Sequence, residues 1–476
     1  MIFDQSKTKI IATLGPASSD KKILKKMFEA GLDVCRINFS HSSHEAAAEI
    51  ITTIREINEE TGADVAIMAD LQGPKLRVGE MKDGQVFLEK NSILEFVNEK
   101  VIGDEKRVYM SYDEFAQDVE KGDAILIDDG KIKLEVVETN KKNSVKAKVI
   151  YSGILSSKKG VNLPNTEISL PSLTEKDITD AEFALSQNVD WLALSFVRQV
   201  SDIIELKQMI KRKRKSTYVV SKIEKPQAIK NLDTIIAETD AIMVARGDLG
   251  VEMPFDIVPL LQKEIVEKCI DASTPVIVAT QMMESMITNF RPTRAEANDV
   301  ANAVIDGVDT VMLSGETSVG KYPVETIENM HRIIQNTEKY RYNYNRGLPP
   351  KPDSSRFLRD NVCYSASIMA ERVGAKAIIT FTEKGSTAST ISGYRPKADI
   401  FAFTLHKELL SALSLLWGVR AVLFEEVDNV DDAIELSIRI LKGKGLLKSG
   451  DYVIHVASTP MHISHKTNML KVTKVV

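Results

Sequence analysis

Eight short apolar runs, evenly spaced but for one gap, constrain the fold of this chain more than any other feature of it. They are Lys9–Thr13, Val34–Asn38, Val65–Asp70, Trp191–Ser195, Tyr218–Lys222, Ala241–Ala245, Val276–Thr280 and Thr310–Ser314. Continuous runs rich in Val, Ile and Ala are expected of strands buried on both faces, as in a parallel sheet. Their starts lie 25, 31, 126, 27, 23, 35 and 34 residues apart. All but the 126-residue interval fit one strand, one helix and two loops. Eight such units predict an α/β chain built on a (β/α)₈ TIM barrel. The long interval leaves room for an inserted domain of about 100 residues after the third strand.

The insertion reads differently. Val86–Leu88, Ile93–Phe96, Val108–Ser111, Ala124–Ile127, Ile132–Val137 and Val145–Ile150 are β-rich, with Asp129-Gly130 as a hairpin signal. Pro74 and Pro171 mark its hinges. Beyond the eighth strand an amphipathic segment, Val324–Tyr340, leads into a Pro-containing linker, Tyr344–Ser355. Strand runs then return at Ala377–Phe381, Ile400–Phe403, Ala421–Phe424 and Tyr452–Ala457. Helical runs lie between them at Asn361–Val373, Leu409–Trp417 and Val430–Leu441. That alternation predicts an open α/β sheet. The expected division is barrel 1–73, β-rich insertion 74–171, barrel 172–345 and C-terminal α/β domain 346–476.

Composition narrows the class. Of 476 residues 43% are apolar and 27% charged, which fits a soluble globular protein. The net charge of −5 supplies no general attraction to nucleic acid or an anionic membrane. Leu409–Phe424, the most apolar stretch, is interrupted by Ser411, Ser414, Gly418 and Arg420, so it predicts no spanning helix. No apolar h-region follows the first residues, and Cys35, Cys269 and Cys363 form no C-x-x-C pair. A reduced, cytoplasmic setting is the expectation.

Chemistry in such barrels sits at the C-terminal ends of the strands. Strand two ends in Arg36, Asn38, Ser40 and His41, and strand three in Asp70. Strand five ends in Ser221, Lys222 and Glu224, strand six in Arg246 and Asp248, and strand seven in Thr280, Gln281 and Glu284. Lys222 and Glu224, two apart on a strand, point to one side. Glu224 and Asp248 leave adjacent strands and can share one hard cation of the Mg²⁺ type. Arg36 and Lys222 add fixed positive charge, which suits a phosphate-bearing substrate. Alone, a Lys-x-Glu is an ordinary ion pair and Asn38 or Ser40 an ordinary helix cap. Five strands ending together in such groups point to a site. No Walker loop and no G-x-G-x-x-G follows a strand.

Several long segments, in order, resemble the pyruvate kinase family. They include Lys9–Pro16 (KIIATLGP), Arg36–His41 (RINFSH), Asp70–Arg77 (DLQGPKLR), Lys159–Pro164 (KGVNLP), Ser221–Lys225 (SKIEK), Met243–Glu252 (MVARGDLGVE), Ala279–Met286 (ATQMMESM), Arg291–Asp299 (RPTRAEAND) and Leu313–Thr317 (LSGET). The resemblance implies a barrel, a β-domain lid and a C-terminal regulatory domain. It implies phosphoryl transfer from phosphoenolpyruvate to ADP, giving pyruvate and ATP, the last step of glycolysis. Carried over by position, Glu224 and Asp248 hold Mg²⁺ or Mn²⁺, and Lys222 neutralises the moving phosphoryl group. Arg36 binds phosphate. Gly247, Asp248 and Thr280 receive the substrate carboxylate, and Thr280 also helps deliver a proton. Arg77 and Lys159 match nucleotide-contacting positions. A cytoplasmic homotetramer is implied by the same resemblance.

Two departures from the family pattern carry expectations of their own. Many members hold K⁺ at positions matching Asn38, Ser40, Asp70 and the backbone of Leu71. Those members usually carry Glu where this chain has Lys75, and Thr-Lys where it has Leu71-Gln72. An ammonium can stand in for a bound monovalent cation, so the expectation is activity without K⁺. The alternative is a Lys75 that points to solvent while K⁺ binds as usual. In the C-terminal domain, Thr382, Lys384, Ser386 and Thr387 match the family's sugar-phosphate effector loop, and equally suit a plain helix N-cap. The later run Ala457–His465 lacks the Gly and Arg that usually close over the effector. This argues against fructose-bisphosphate activation and leaves another phosphorylated effector, or none. Two rival readings stand beside the family: a lyase using Lys222 as a Schiff base, and a metabolite sensor over a silent barrel.

Overall fold

The computed structural model describes residues 6–164, 166–340, 344–345, 348–352, 354–459 and 467–476. Eight parallel strands close into a barrel: Lys9–Thr13, Val34–Asn38, Ala66–Asp70, Trp191–Leu194, Tyr218–Ile223, Ala241–Ala245, Val276–Ala279 and Thr310–Leu313. Each agrees with a run expected from sequence to within one residue at either end. The runs are continuously apolar because both faces are buried. In the first strand Ile10 and Ala12 pack outward against the helices, while Ile11 packs inward with Val34, Met68, Val220 and Met243. Alternation of faces is a property of any strand; here neither face meets water. The helices are delimited by local chemistry. Asp20, Ser43, Thr174 and Thr293 accept first-turn N–H groups, and Gly62 and Gly307 end helices in the left-handed conformation.

Between the third and fourth barrel strands the chain builds a six-stranded sheet and a two-stranded ribbon around their own core. Asp129 and Gly130 both have positive φ, as the two-residue hairpin turn joining Ala124–Ile127 to Ile132–Thr139 requires. Two short strands here, Gly153–Ser156 and Val161–Asn162, were not expected from sequence. Val161–Asn162 is too short to show a period and is defined only by pairing with Ile127 and Leu126.

The C-terminal sheet runs Val419–Leu423, Asp399–Thr404, Ala377–Phe381, Tyr452–Ser458 and Thr467–Lys474, the last antiparallel. Thr467–Lys474 is the second correction: its alternating, mostly exposed pattern belongs to an edge strand. The expected helix Leu409–Trp417 is instead a short α-helix, Glu408–Ala412, followed by the single 3₁₀ turn Leu413–Leu415. It breaks because it docks end-on. Leu415 enters the interior core of the barrel, and Leu415 O accepts from Thr310 Oγ1 at 2.9 Å. Of the Ala457–His465 run, Pro460 onward lies outside the described residues, as does Gly347 of the linker.

His455, fully buried on Tyr452–Ser458, has its imidazole pKa lowered to about 4 by burial and then by Lys471. Between pH 6.5 and 4 the unfolded chain takes up a proton that the folded chain refuses. Stability from this group is therefore complete above pH 6.5 and is lost as pH falls toward 4. By pH 5 the loss should reach about 2 kcal/mol. Urea unfolding of the C-terminal domain at pH 7 and pH 5 checks this: His455→Leu should remove that part of the acid sensitivity, and an unchanged difference would refute it.

Candidate active site

Charged side chains from three strand ends form one buried network. Arg36 sets Nε and Nη2 each 2.6 Å from Asp70 Oδ2 and donates from Nη1 to Thr13 Oγ1 at 2.8 Å. Asp70, 1% exposed, places Oδ1 3.3 Å from Lys222 Nζ. Lys222 Nζ lies 2.9 Å from Glu224 Oε1 and donates to Ser195 Oγ at 2.7 Å, and Ser195 donates on to Leu71 O. Barrel register brings these groups together: Asn38 pairs with Asp70, Asp70 with Ala193, and Leu194 with Ser221. Lys222 and Glu224 face the same side, as their spacing requires.

Burial opposes the charge of each member, and the partners decide the outcome. Asp70 stays below the usual carboxylate range because Lys222 and Arg36 outweigh its burial. Lys222 is held above the usual lysine range because Asp70 and Glu224 outweigh its burial. Glu224 is pushed up by burial, against the pull of Lys222, and further by the Asp248 carboxylate. Glu224 Oε2 accepts the N–H of Phe196 at 2.7 Å, and Phe196 holds positive φ to offer it. A Schiff-base lysine needs to lose its proton easily, and this environment does the opposite.

Asp248 sits in a seven-residue helix, Arg246–Glu252, that follows the sixth strand directly. Gly247 N–H donates to Thr280 Oγ1 at 2.8 Å, so the expected carboxylate donors already touch one another. Thr280 is β-branched yet has φ +69°, a strained conformation of the kind held at functional sites. Arg246 secures it, forking onto Asp299 with two 2.8 Å contacts and donating to Thr280 O at 2.7 Å. Arg246 is one of the polar strand ends expected from sequence. Its partner Asp299, on the helix Arg294–Asp306, carries no such signal.

On the inserted side Arg77 donates to Lys158 O at 2.9 Å, and Lys159 pairs with Asp128 at 2.7 Å. Lys75 lines a cleft with Gly160, Asn162, Lys225 and Asp248. It is exposed and, among the described residues, forms no ion pair. Its charge, with those of Arg77 and Arg36, adds to desolvation in lowering the His41 pKa. Asn38 Oδ1 accepts Ser40 N at 3.0 Å.

Two family models match most of the chain. Residues 5–327 match the model described as pyruvate kinase, barrel domain, and residues 360–473 match pyruvate kinase, alpha/beta domain. The chain belongs to the pyruvate kinase family. It is 41% identical over 466 residues to a pyruvate kinase of Corynebacterium glutamicum, covering 98% of this chain and 97% of that one. It is 40% identical over 468 residues to that of Geobacillus stearothermophilus, covering 98% of this chain and 80% of that one. A crystal structure of a pyruvate kinase from Cryptosporidium parvum superimposes with a TM-score of 0.92 at 35% identity, covering 99% and 97% of the two chains. Family membership makes the chain a phosphotransferase and removes the lyase and sensor readings.

Far from this centre, Thr382, Lys384, Ser386 and Thr387 line a cavity of about 390 Å³ in the C-terminal domain of this family member. Thr382 Oγ1 accepts Gly385 N at 2.9 Å, so part of the loop's hydroxyl chemistry is spent on its own turn. Glu426 and Asp428 line the same cavity. Among the described residues no helix is long and apolar enough to cross a membrane.

Proposed function

We propose that this pyruvate kinase transfers the phosphoryl group of phosphoenolpyruvate to ADP, giving pyruvate and ATP in the cytoplasm as the last step of glycolysis. The observation that carries the proposal is the buried Arg36–Asp70–Lys222–Glu224 network beside Asp248. It gathers the cations of Arg36 and Lys222 with the carboxylates of Asp70 and Glu224 at adjoining strand ends, and Asp248 acts on Glu224. Glu224 and Asp248 fit a divalent cation. They are close enough for one to raise the other's pKa, and no group of three or more His, Cys, Asp or Glu able to hold a metal occurs among the described residues. Two carboxylates completed by substrate oxygens and water suit Mg²⁺, or Mn²⁺, rather than zinc. When bound, the cation neutralises charge on the enolate and phosphoryl oxygens. Lys222 stabilises the phosphoryl group in flight, and Arg36 anchors it. Gly247 and Asp248 N–H groups and the Thr280 hydroxyl orient the substrate carboxylate, and Thr280 helps deliver a proton to the enolate carbon. Arg77 and Lys159 meet the nucleotide from the lid, whose closure excludes water.

The reading of K⁺-independence rests on Lys75, whose ammonium acts on His41 in the Asn38–His41 segment, against the alternative that its exposed side chain points to solvent. The division 1–73, 74–171, 172–345 and 346–476, a homotetrameric assembly, and a phosphorylated effector at Thr382, Lys384, Ser386 and Thr387 complete the reading. Glu426 and Asp428 in the lining of that cavity argue against a second phosphate beside the first.

The test is a coupled assay of pyruvate formation from phosphoenolpyruvate and ADP with Mg²⁺, titrating K⁺ from zero in a K⁺- and Na⁺-free buffer. Full rate without K⁺ is expected. Lys75→Glu should lower the K⁺-free rate by about tenfold or more and regain it when K⁺ is added. A native enzyme active only with K⁺ would refute the role of Lys75 and leave the reaction standing. Folded protein inactive under both conditions would refute the reaction.

A further inference from the structure

Glu252 closes the seven-residue helix Arg246–Glu252, whose first turn carries Gly247 and Asp248. Four residues apart, Asp248 and Glu252 lie on one face of that helix. The Glu252 carboxylate is buried. Its Oε1 accepts two donors, Lys225 Nζ at 2.6 Å and Asn162 Nδ2 at 2.9 Å. Its Oε2 is buried and, among the described residues, accepts no hydrogen bond.

The two donors come from different parts of the molecule. Lys225 follows Glu224, and its ammonium lies 5.8 Å from the centre of the Phe196 ring, the residue whose N–H holds Glu224. Asn162 belongs to the insertion. Its strand pairs with Ala124–Ile127 within the six-stranded sheet, so its position follows that of the whole inserted domain. One carboxylate oxygen thus joins the insertion, the end of the fifth strand and the helix bearing Asp248.

We propose that Glu252 is a positioning residue, through which docking of the inserted domain fixes the Gly247–Asp248 turn and the Glu224–Lys225 strand end for phosphoryl transfer. When the insertion lifts, Glu252 loses its amide donor in a buried setting where its second oxygen is already unpaired. Lys225 and the helix are then free to shift together, and the reacting groups lose their alignment. Phosphoryl transfer depends almost wholly on alignment and fixed charge, so the effect falls more on turnover than on binding, although the same turn orients the substrate carboxylate. The inference rests on the phosphotransfer reading above.

Asn162→Ala removes the insertion's arm of the junction and keeps the Lys225–Glu252 pair. In the full-length enzyme with saturating Mg²⁺ it should lower kcat by about tenfold. The Kd for phosphoenolpyruvate without ADP, from the ligand-induced rise in Tm, should stay within about twofold of native. Asn162→Asp sets a second carboxylate against Glu252 and should lower kcat further. Glu252→Gln completes the set, and Asn162→Ala added to Glu252→Gln should cost less than it does alone. An unchanged kcat in Asn162→Ala, a parallel loss of phosphoenolpyruvate binding, or full additivity in the double variant would overturn the role of Glu252. A native enzyme that makes no pyruvate would instead overturn the phosphotransfer reading, and this inference with it.

Discussion

Lys222→Met should lower kcat by about 10³-fold or more, the largest effect on activity expected from one substitution here. Lys222 lies between two carboxylates, 3.3 Å from Asp70 and 2.9 Å from Glu224, and it is 9% exposed. Charge stabilisation is strongest where water is excluded. The same burial makes the substitution costly to the fold. Methionine leaves Asp70 and Glu224 without the ammonium between them, and breaking a buried pair from one side costs about 3–5 kcal/mol. Arg36 still compensates Asp70, whereas Glu224 keeps only the Phe196 N–H. Added Mg²⁺ should therefore raise the Tm of Lys222→Met more than that of the native enzyme. Steady-state kinetics and thermal melts with and without Mg²⁺ check both parts. A kcat within tenfold of native would remove Lys222 from the chemistry.

Arg395→Met should lower stability by about 3–5 kcal/mol, the largest effect expected away from the active site. Arg395, 2% exposed, clamps the C-terminal domain to the base of the barrel. Its Nη2 lies 2.8 Å from Asp309 Oδ2 and donates to Gly307 O at 2.8 Å, and its guanidinium sits 5.1 Å from the centre of the Trp417 ring. Asp309 also accepts Val276 N at 3.0 Å and Trp417 N at 3.2 Å. Removing the arginine strands a buried carboxylate with two amide donors. Replacing Asp309 by Asn as well should recover part of the loss, because no charge is then left uncompensated. Urea unfolding of the single and double variants measures this. Since Asp309 precedes the eighth strand, at the end of the barrel away from the chemistry, kcat should be unaffected wherever the variant is folded. A single variant as stable as native would mean the clamp contributes nothing.

The barrel was legible because its signal is local. A strand buried on both faces must be apolar throughout, and five residues suffice to show it. The polar ends of those strands were legible for the same reason: Asp70, Lys222, Glu224 and Thr280 each follow or close such a run, and Arg36 lies within one. Strands with one exposed face or only two residues were not, as with Thr467–Lys474 and Val161–Asn162. Their identity depends on a partner brought in by the fold. The Leu409–Trp417 segment has a helical pattern throughout, and only docking of Leu415 into the barrel floor breaks it.

By itself the sequence determined the eight barrel strands, the presence of a β-rich insertion and a C-terminal α/β sheet, the polar groups at the strand ends and the family they match. Each of these is written in composition and period along the chain. The tertiary structure alone decided which charges meet. That Lys222 reaches Asp70, that Arg246 steadies Thr280 through Asp299, and that Glu252 joins Asn162 to Lys225 are contacts between residues 27 to 152 positions apart. Electrostatic energy depends on distance and burial, and neither is a property of the sequence until the barrel closes.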